Sequence, residues 1–387
     1  MTKAIWGGIA LGFIFLMAAC VSPLELDRAV ESRLNISGII TNGSTQRTIT
    51  IARTDQFRTN VADVSATGKL FEDGQLLAEL EAPEPGRLLV PQSVTFEQGA
   101  VYFFEITADG QVFRTLPQAL PAPAPSHSLT WREGTEVFLN SRGVPVEREA
   151  VEILADFDVE PSQPNQFFRY QMESAYELRE IPREQVDTTV IIDSTFVLGE
   201  GWRVEITKEF TPDTAKICYL SRPVNTYPSV LVATAPLAAG PARQKMMSQP
   251  IDGSFAWKQV FSVYRHQITQ EAYQYYERLE RLSNLDGSLY DEIPAAVRGN
   301  LFDVADSTAI VLGYIELSIA DTMRLSLDGS TLGRFIRDGC RPPPGDPLEC
   351  PPAIPNPSTG EIPPCKCFDC DLVFGRDKTI KPFYWDE

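Results

Sequence analysis

The chain has 387 residues and is strongly acidic, with 52 Asp and Glu against 34 Lys and Arg and a formal net charge of −18. Such a surface excludes nucleic-acid binding, which needs a basic patch for phosphates, and adhesion through anionic lipid headgroups. A hydrophobic content of 43%, including 21 Phe, 12 Tyr and 5 Trp, supports a sizeable core, and the length predicts two domains.

The first element is an export signal over residues 1–19. Lys3 is its one charge, followed by an apolar run from Ala4 to Ala19. That run is shorter than the roughly 20 residues a membrane-spanning helix needs. It ends at Leu16-Met17-Ala18-Ala19-Cys20, small residues before a cysteine, the pattern of a lipobox. The reading is cleavage before Cys20 and acylation of its sulfur, against an ordinary secretory signal with a chance cysteine. Several acyl chains give stable attachment where one gives marginal binding. Loss of Lys3 takes the net charge from −18 to −19. Residues 20–30 form the tether.

From residue 31 to 115 the chain alternates in short steps. Two β-branched runs flank Asn42-Gly43, and the pattern repeats around Asp73-Gly74 and Asp109-Gly110. Such dipeptides between apolar alternations are hairpin signals, so these residues predict a β-sandwich of immunoglobulin or transthyretin type. Pro117, Pro121, Pro123 and Pro125 then mark residues 116–127 as an extended spacer. Residues 128–338 are again strand-rich, with one helix in "TQEAYQYYERLERLS", where Ala272, Tyr275, Tyr276, Leu279 and Leu282 recur at helical spacing. A tyrosine face of this kind reads as core rather than as a ligand platform. From residue 339 to 387 the chain becomes a tail rich in Cys and Pro, packed on the second domain, with no helix expected after Cys370. The fold class is therefore mainly β: a sandwich, then a larger β-rich domain with one helical insertion, and a disulfide-stapled tail.

Catalytic groups are sparse. The two histidines, His127 and His266, read as surface or packing residues, and no G-x-S-x-G elbow accompanies them. Two histidines rule out a histidine-rich metal site. Asp156 and Asp158 share a strand face, but without the further oxygens of a calcium loop they read as a solvated edge. No phosphate loop or dinucleotide fingerprint occurs, so no cofactor or catalytic residue is assigned.

Six cysteines remain beside Cys20: Cys218, Cys340, Cys350, Cys365, Cys367 and Cys370. An exported chain folds where thiols pair, and six permit fifteen complete pairings. A metal knuckle would need two spaced C-x-x-C units, and a redox centre would need C-x-x-C opening a helix. The expectation is structural disulfides, with Cys218 tying the tail to the second domain.

Several stretches together resemble a family of Bacteroidota outer-membrane lipoproteins known as a domain of unknown function. They are Pro23–Asp27 behind the lipobox, Ile36–Gly43, Tyr264–Glu280, Gly299–Phe302, Leu312–Ser318, and an ending with Cys367, Cys370, Lys381, Pro382 and Trp385. Such lipoproteins are often encoded beside TonB-dependent receptors. The resemblance thus implies a non-enzymatic accessory at the outer membrane, exposed at the cell surface, with the periplasmic face as the alternative. Its partners would be a TonB-dependent receptor β-barrel and a small-molecule, glycan or peptide ligand, in nutrient uptake or envelope assembly. The competing expectation is a carboxylate-based surface hydrolase acting on glycans or peptides.

Overall fold

A computed structural model describes residues 33–42, 47–54, 59–60, 64–140, 142–160, 165–180, 184–187, 193–197, 201–205, 209–212, 215–224, 229–283, 296–338, 340, 367 and 370–386. The chain is mainly β, with several sheets and, among the described residues, two helices and two disulfides toward the C-terminus. β1 (Arg33–Asn42) and β2 (Arg47–Thr54) pair antiparallel, with Ile40 opposite Arg47. β3 (Ala66–Glu72) turns into β4 (Gln75–Glu79) through Asp73 and Gly74, at φ 45° and 82°. After the short β5 (Arg87–Leu89), β6 (Val101–Ala108) turns into β7 (Gln111–Thr115) through Asp109 and Gly110, at φ 51° and 78°. Both central residues of each turn are left-handed, the geometry that selects Asp-Gly in tight hairpins.

The later strands of the three larger sheets are β8 (Ser128–Leu139), β9 (Pro145–Val159), β10 (Phe167–Arg179), β11 (Ile217–Pro223), β12 (Val230–Ala233), β13 (Gly240–Pro250), β14 (Gln259–Ile268), β15 (Leu301–Asp303) and β16 (Ile315–Leu327). A central sheet runs β11-β10-β14-β16-β1-β2-β5 and ends on Glu81–Glu84, with β12 also on β10. Its middle join is parallel: Gly38 of β1 pairs with Ile315 of β16, and Asn42 with Ile319. A second sheet, β15-β7-β6-β3-β4, likewise takes its edge strand β15 from far along the chain. β8, β9 and β13 form a third sheet.

Alternation along these strands sorts side chains into two faces. On the inner face Ile36, Ile40, Ile49, Ile51, Ile315 and Leu317 meet Leu70, Phe104, Ile106 and Leu301 of the second sheet in one core. Farther along the same face Phe168, Tyr170, Phe261, Val263 and Leu327 meet Val151, Ile153, Ala155 and Phe157 of the third sheet. The proline-rich stretch lies held against β14 and β6. Gln118–Ala119 pairs with Val101 and Tyr102, and Leu120 is buried. Gln267 accepts from Ala124 N–H (3.0 Å) and donates to the Ala122 carbonyl, while Arg265 donates to the Pro125 carbonyl (2.6 Å). Beyond Ala119, side chains of the sheet thus satisfy a backbone that the prolines keep out of a ladder.

Toward the C-terminus Cys218 of β11 bonds to Cys370, and Cys340 bonds to Cys367. Buried Trp385 packs edge-on against Tyr219 and donates to Glu177 (2.9 Å), on the outer face of the central sheet. One expectation fails here. A five-residue helix, α2 (Cys370–Phe374), opens at Cys370. The disulfide fixes its first residue, and Glu180 accepts from the Cys370 N–H (2.8 Å), so tertiary contacts supply what the local pattern lacks.

Candidate functional site

The outer face of the central sheet carries polar side chains across its middle. From β1 and β2 come Asn35, Ser37, Thr48 and Thr50, from β16 Glu316 and Ser318, from β14 His266, and from β10 Arg169 and Gln171. Helix α1 (Gln270–Ser283) lies over part of this row. It begins where β14 ends: Thr269 caps it, accepting from Ala272 N–H through its hydroxyl (3.3 Å) and from Tyr273 N–H through its carbonyl (3.0 Å). Its Tyr275 stacks on Tyr314 at 4.8 Å and its Tyr273 packs on Phe167 at 5.1 Å. The tyrosine face is therefore largely buried in a core cluster, and Tyr275 and Tyr276 also border the groove described below.

Beneath α1 is a charged cluster that sequence reasoning did not find. Arg169 and Glu316 are 2% and 0% exposed and meet as a bidentate pair, with Nε and Nη2 donating to the two carboxylate oxygens at 2.9 and 3.1 Å. Arg169 also donates to Ser229 (3.3 Å), and its guanidinium lies 4.8 Å from the Tyr276 ring centre. Ser318 donates to Glu316 at 2.7 Å, and Nδ1 of His266, 1% exposed, stands 3.4 Å from the same oxygen. Burial alone would raise the Glu316 carboxyl. The charge of Arg169, the neighbouring His266 and the hydrogen bonds outweigh it and hold the group at about 2. Burial lowers His266 to about 4, with Glu316 opposing and Arg169 adding to the shift, so the imidazole is neutral near pH 7.

Beside this cluster a groove of about 660 Å³ opens between α1 and the face of β1 and β2. Asn35, Ser37, Thr48, Thr50 and Gln171 line one side, while Tyr275, Tyr276 and Leu279 flank the other. That volume lies within the range of small-ligand pockets. Four of the stretches that carry the family resemblance converge here. Ile36–Gly43 contributes β1, Tyr264–Glu280 contributes β14 and α1, and Leu312–Ser318 opens β16. Gly299–Phe302 clamps that opening: the Asn300 carboxamide accepts from the Ile315 N–H (3.0 Å) and donates to its carbonyl (2.9 Å). Gly313 sits at φ 93°, where a Cβ would meet the Ile36 carbonyl at 2.1 Å, and a Cβ on Gly299 would meet the Gly313 carbonyl at 1.6 Å. Only glycines allow the three segments to approach this closely.

The other sequence candidates lie elsewhere. His127 is a packing residue, stacked on Phe157 at 4.4 Å and hydrogen-bonded to the Tyr170 hydroxyl (2.7 Å). Asp156 is taken up by Thr130 (2.7 Å) and Arg243 (2.5 Å), and Asp158 is exposed. Cys218, Cys340, Cys367 and Cys370 are disulfide-bonded and buried. Cys20, Cys350 and Cys365 lie outside the described residues. Among the described residues no group of three His, Cys, Asp or Glu could hold a metal ion.

No curated protein and no solved structure matches the chain. Residues 21–324 match a family model described as "Domain of unknown function (DUF4249)", and the chain belongs to that family.

Proposed function

We propose that this protein is a non-enzymatic accessory lipoprotein. It is anchored in the outer membrane through acylated Cys20, faces the cell surface, and captures a ligand for a β-barrel receptor of the TonB-dependent type. The observation that carries the ligand-binding part is the groove beside α1, assembled by segments scattered along the chain and set next to a sealed ion pair. The anchor and the receptor rest on the lipobox and on the family resemblance. Binding is favoured over carboxylate-based hydrolysis by the groove's chemistry. Its described walls present no pair of carboxylates, and Glu316 is already engaged by Arg169, Ser318 and His266.

The test is a pull-down of the full protein from an envelope solubilised in mild detergent. Co-purification of a β-barrel receptor, together with metabolic labelling by palmitate that disappears in Cys20→Ala, supports the reading. A soluble, unlabelled monomer recovered without a partner overturns it.

A further inference from the structure

We infer that the groove beside α1 takes an uncharged, polyhydroxylated ligand, a short neutral saccharide. The inference rests on the reading of this groove as the ligand site and adds the chemistry of the occupant.

Charge comes first. Among the described residues that line the groove the ionised group is Arg169, and its guanidinium is bidentate to the fully buried Glu316. The pair sums to zero, so a charged ligand would lose its hydration without meeting an uncompensated partner. The lining therefore selects against net charge of either sign.

The hydrogen-bonding groups come next. Ser37 stands opposite Thr50, and Thr48 opposite Ile39, so the outer faces of β1 and β2 present hydroxyls on neighbouring strands, with Asn35 and Gln171 beside them. Adjacent strands lie about 5 Å apart and same-face residues about 7 Å apart along a strand, a grid comparable with the span of a pyranose ring. Hydroxyls rotate to donate or accept, and carboxamides do both, which suits a ligand whose own hydroxyls do both. The opposite flank is apolar, from the ring carbons of Tyr275 and Tyr276 and the side chain of Leu279. A saccharide carries both surfaces, C–H faces and hydroxyl edges.

A peptide is the competing occupant, and the sheet argues against it. Peptides bind sheets chiefly by adding a strand to an open edge. At this floor β1 is paired on both sides, by β2 and β16, and β2 is paired by β1 and β5. No backbone edge is open to the groove there.

The experiment is calorimetric titration of the full protein with three probe classes. They are neutral trisaccharides (maltotriose, cellotriose, mannotriose), charged ones (trigalacturonate and the glucosamine trimer), and trialanine. Each is run on the wild type, on Thr50→Trp, which fills the groove from a strand position tolerant of aromatics, and on Thr50→Val, which removes only the hydroxyl. At least one neutral trisaccharide should bind tenfold or more tightly than its charged counterparts. Thr50→Trp should abolish that binding and Thr50→Val should weaken it severalfold. Should Thr50→Trp melt early, Thr50→Val alone carries the comparison. If a charged saccharide or trialanine is the preferred probe and the variants lose it, the groove stands as a ligand site and the neutral-saccharide inference falls. If no probe binds, or binding ignores both variants, the groove reading and the inference fall together.

Discussion

Removing one member of the Arg169–Glu316 pair leaves the other charge buried without its counter-ion, a change that typically costs about 3–5 kcal/mol. Glu316→Leu and Arg169→Met should each lower the urea midpoint accordingly. The double variant should lose well under the sum of the two, because neither charge is then stranded; the cycle is read by urea denaturation of the four proteins. Acidification acts on the same cluster. The folded pKa of His266, about 4, lies below its ordinary 6.5, so its contribution is full above about pH 6.5 and is lost as pH falls toward 4. His127, at about 3, acts in the same direction from the same starting point. Glu316, at about 2 against an ordinary 4.5, holds its contribution until about pH 4.5 and loses it below. Stability should therefore fall between pH 6.5 and 4.5 through the histidines, and more steeply below 4.5. His266→Gln should make the upper part of a midpoint-against-pH curve shallower, with the His127 contribution remaining, and leave the lower part in place. None of this was legible in the sequence. Glu316 stands between Ile315 and Leu317, and strand alternation assigns such a residue to solvent; its partner Arg169, itself under Tyr276 of α1, comes from a strand 147 residues earlier.

Elements set by local chemistry were the legible ones. The Asp-Gly turns required φ above zero at adjacent residues and so announced themselves. The spacing of Ala272, Tyr275 and Tyr276 gave α1 its buried face. Partners across the chain left no such mark. Nothing near β1 announces β16, and the six cysteines offered fifteen pairings until Cys218 and Cys370 were brought together by β11 and the tail. The groove belongs to this second kind, since each of its walls is an ordinary strand or helix face when read alone. The β8–β9 hairpin shows a contrast within one element. From Ala150 to Asp156, β9 is paired on both sides, by β8 and β13, whereas from Pro145 to Glu149 it has β8 alone. Residues 142–149 are exposed, and so are Val137 and Leu139 across the ladder. Hydrogen exchange should divide at this point, with the amides of Glu147–Glu149 exchanging orders of magnitude faster than those of Ile153–Asp156. Uniform protection along β9 would mean that the tip is covered in solution.

Across the whole molecule, the sandwich expected over residues 31–115 borrows its completing strands. β15 extends one of its sheets and β16 closes the open side of β1, and Leu301, Ile315 and Leu317 fill its core. A fragment covering residues 31–127 should accordingly lack a cooperative thermal transition in circular dichroism. Adding residues 296–327 as a separate peptide should restore part of it; a fragment that melts sharply on its own would show the borrowed strands to be dispensable. The parallel join between β1 and β16 also fixes how the molecule bears load. Arg33 lies at one end of the central sheet, while Trp385 packs on Val260, whose partner Ser326 is near the other end. Tension between a point ahead of Arg33 and a point on the tail therefore draws β1 and β16 past each other lengthwise. Their ladder bonds are strained together in shear and cannot open one at a time like a zipper. A domain held this way resists being peeled from its leading strand, a useful property in any molecule whose leash and grip are at opposite ends.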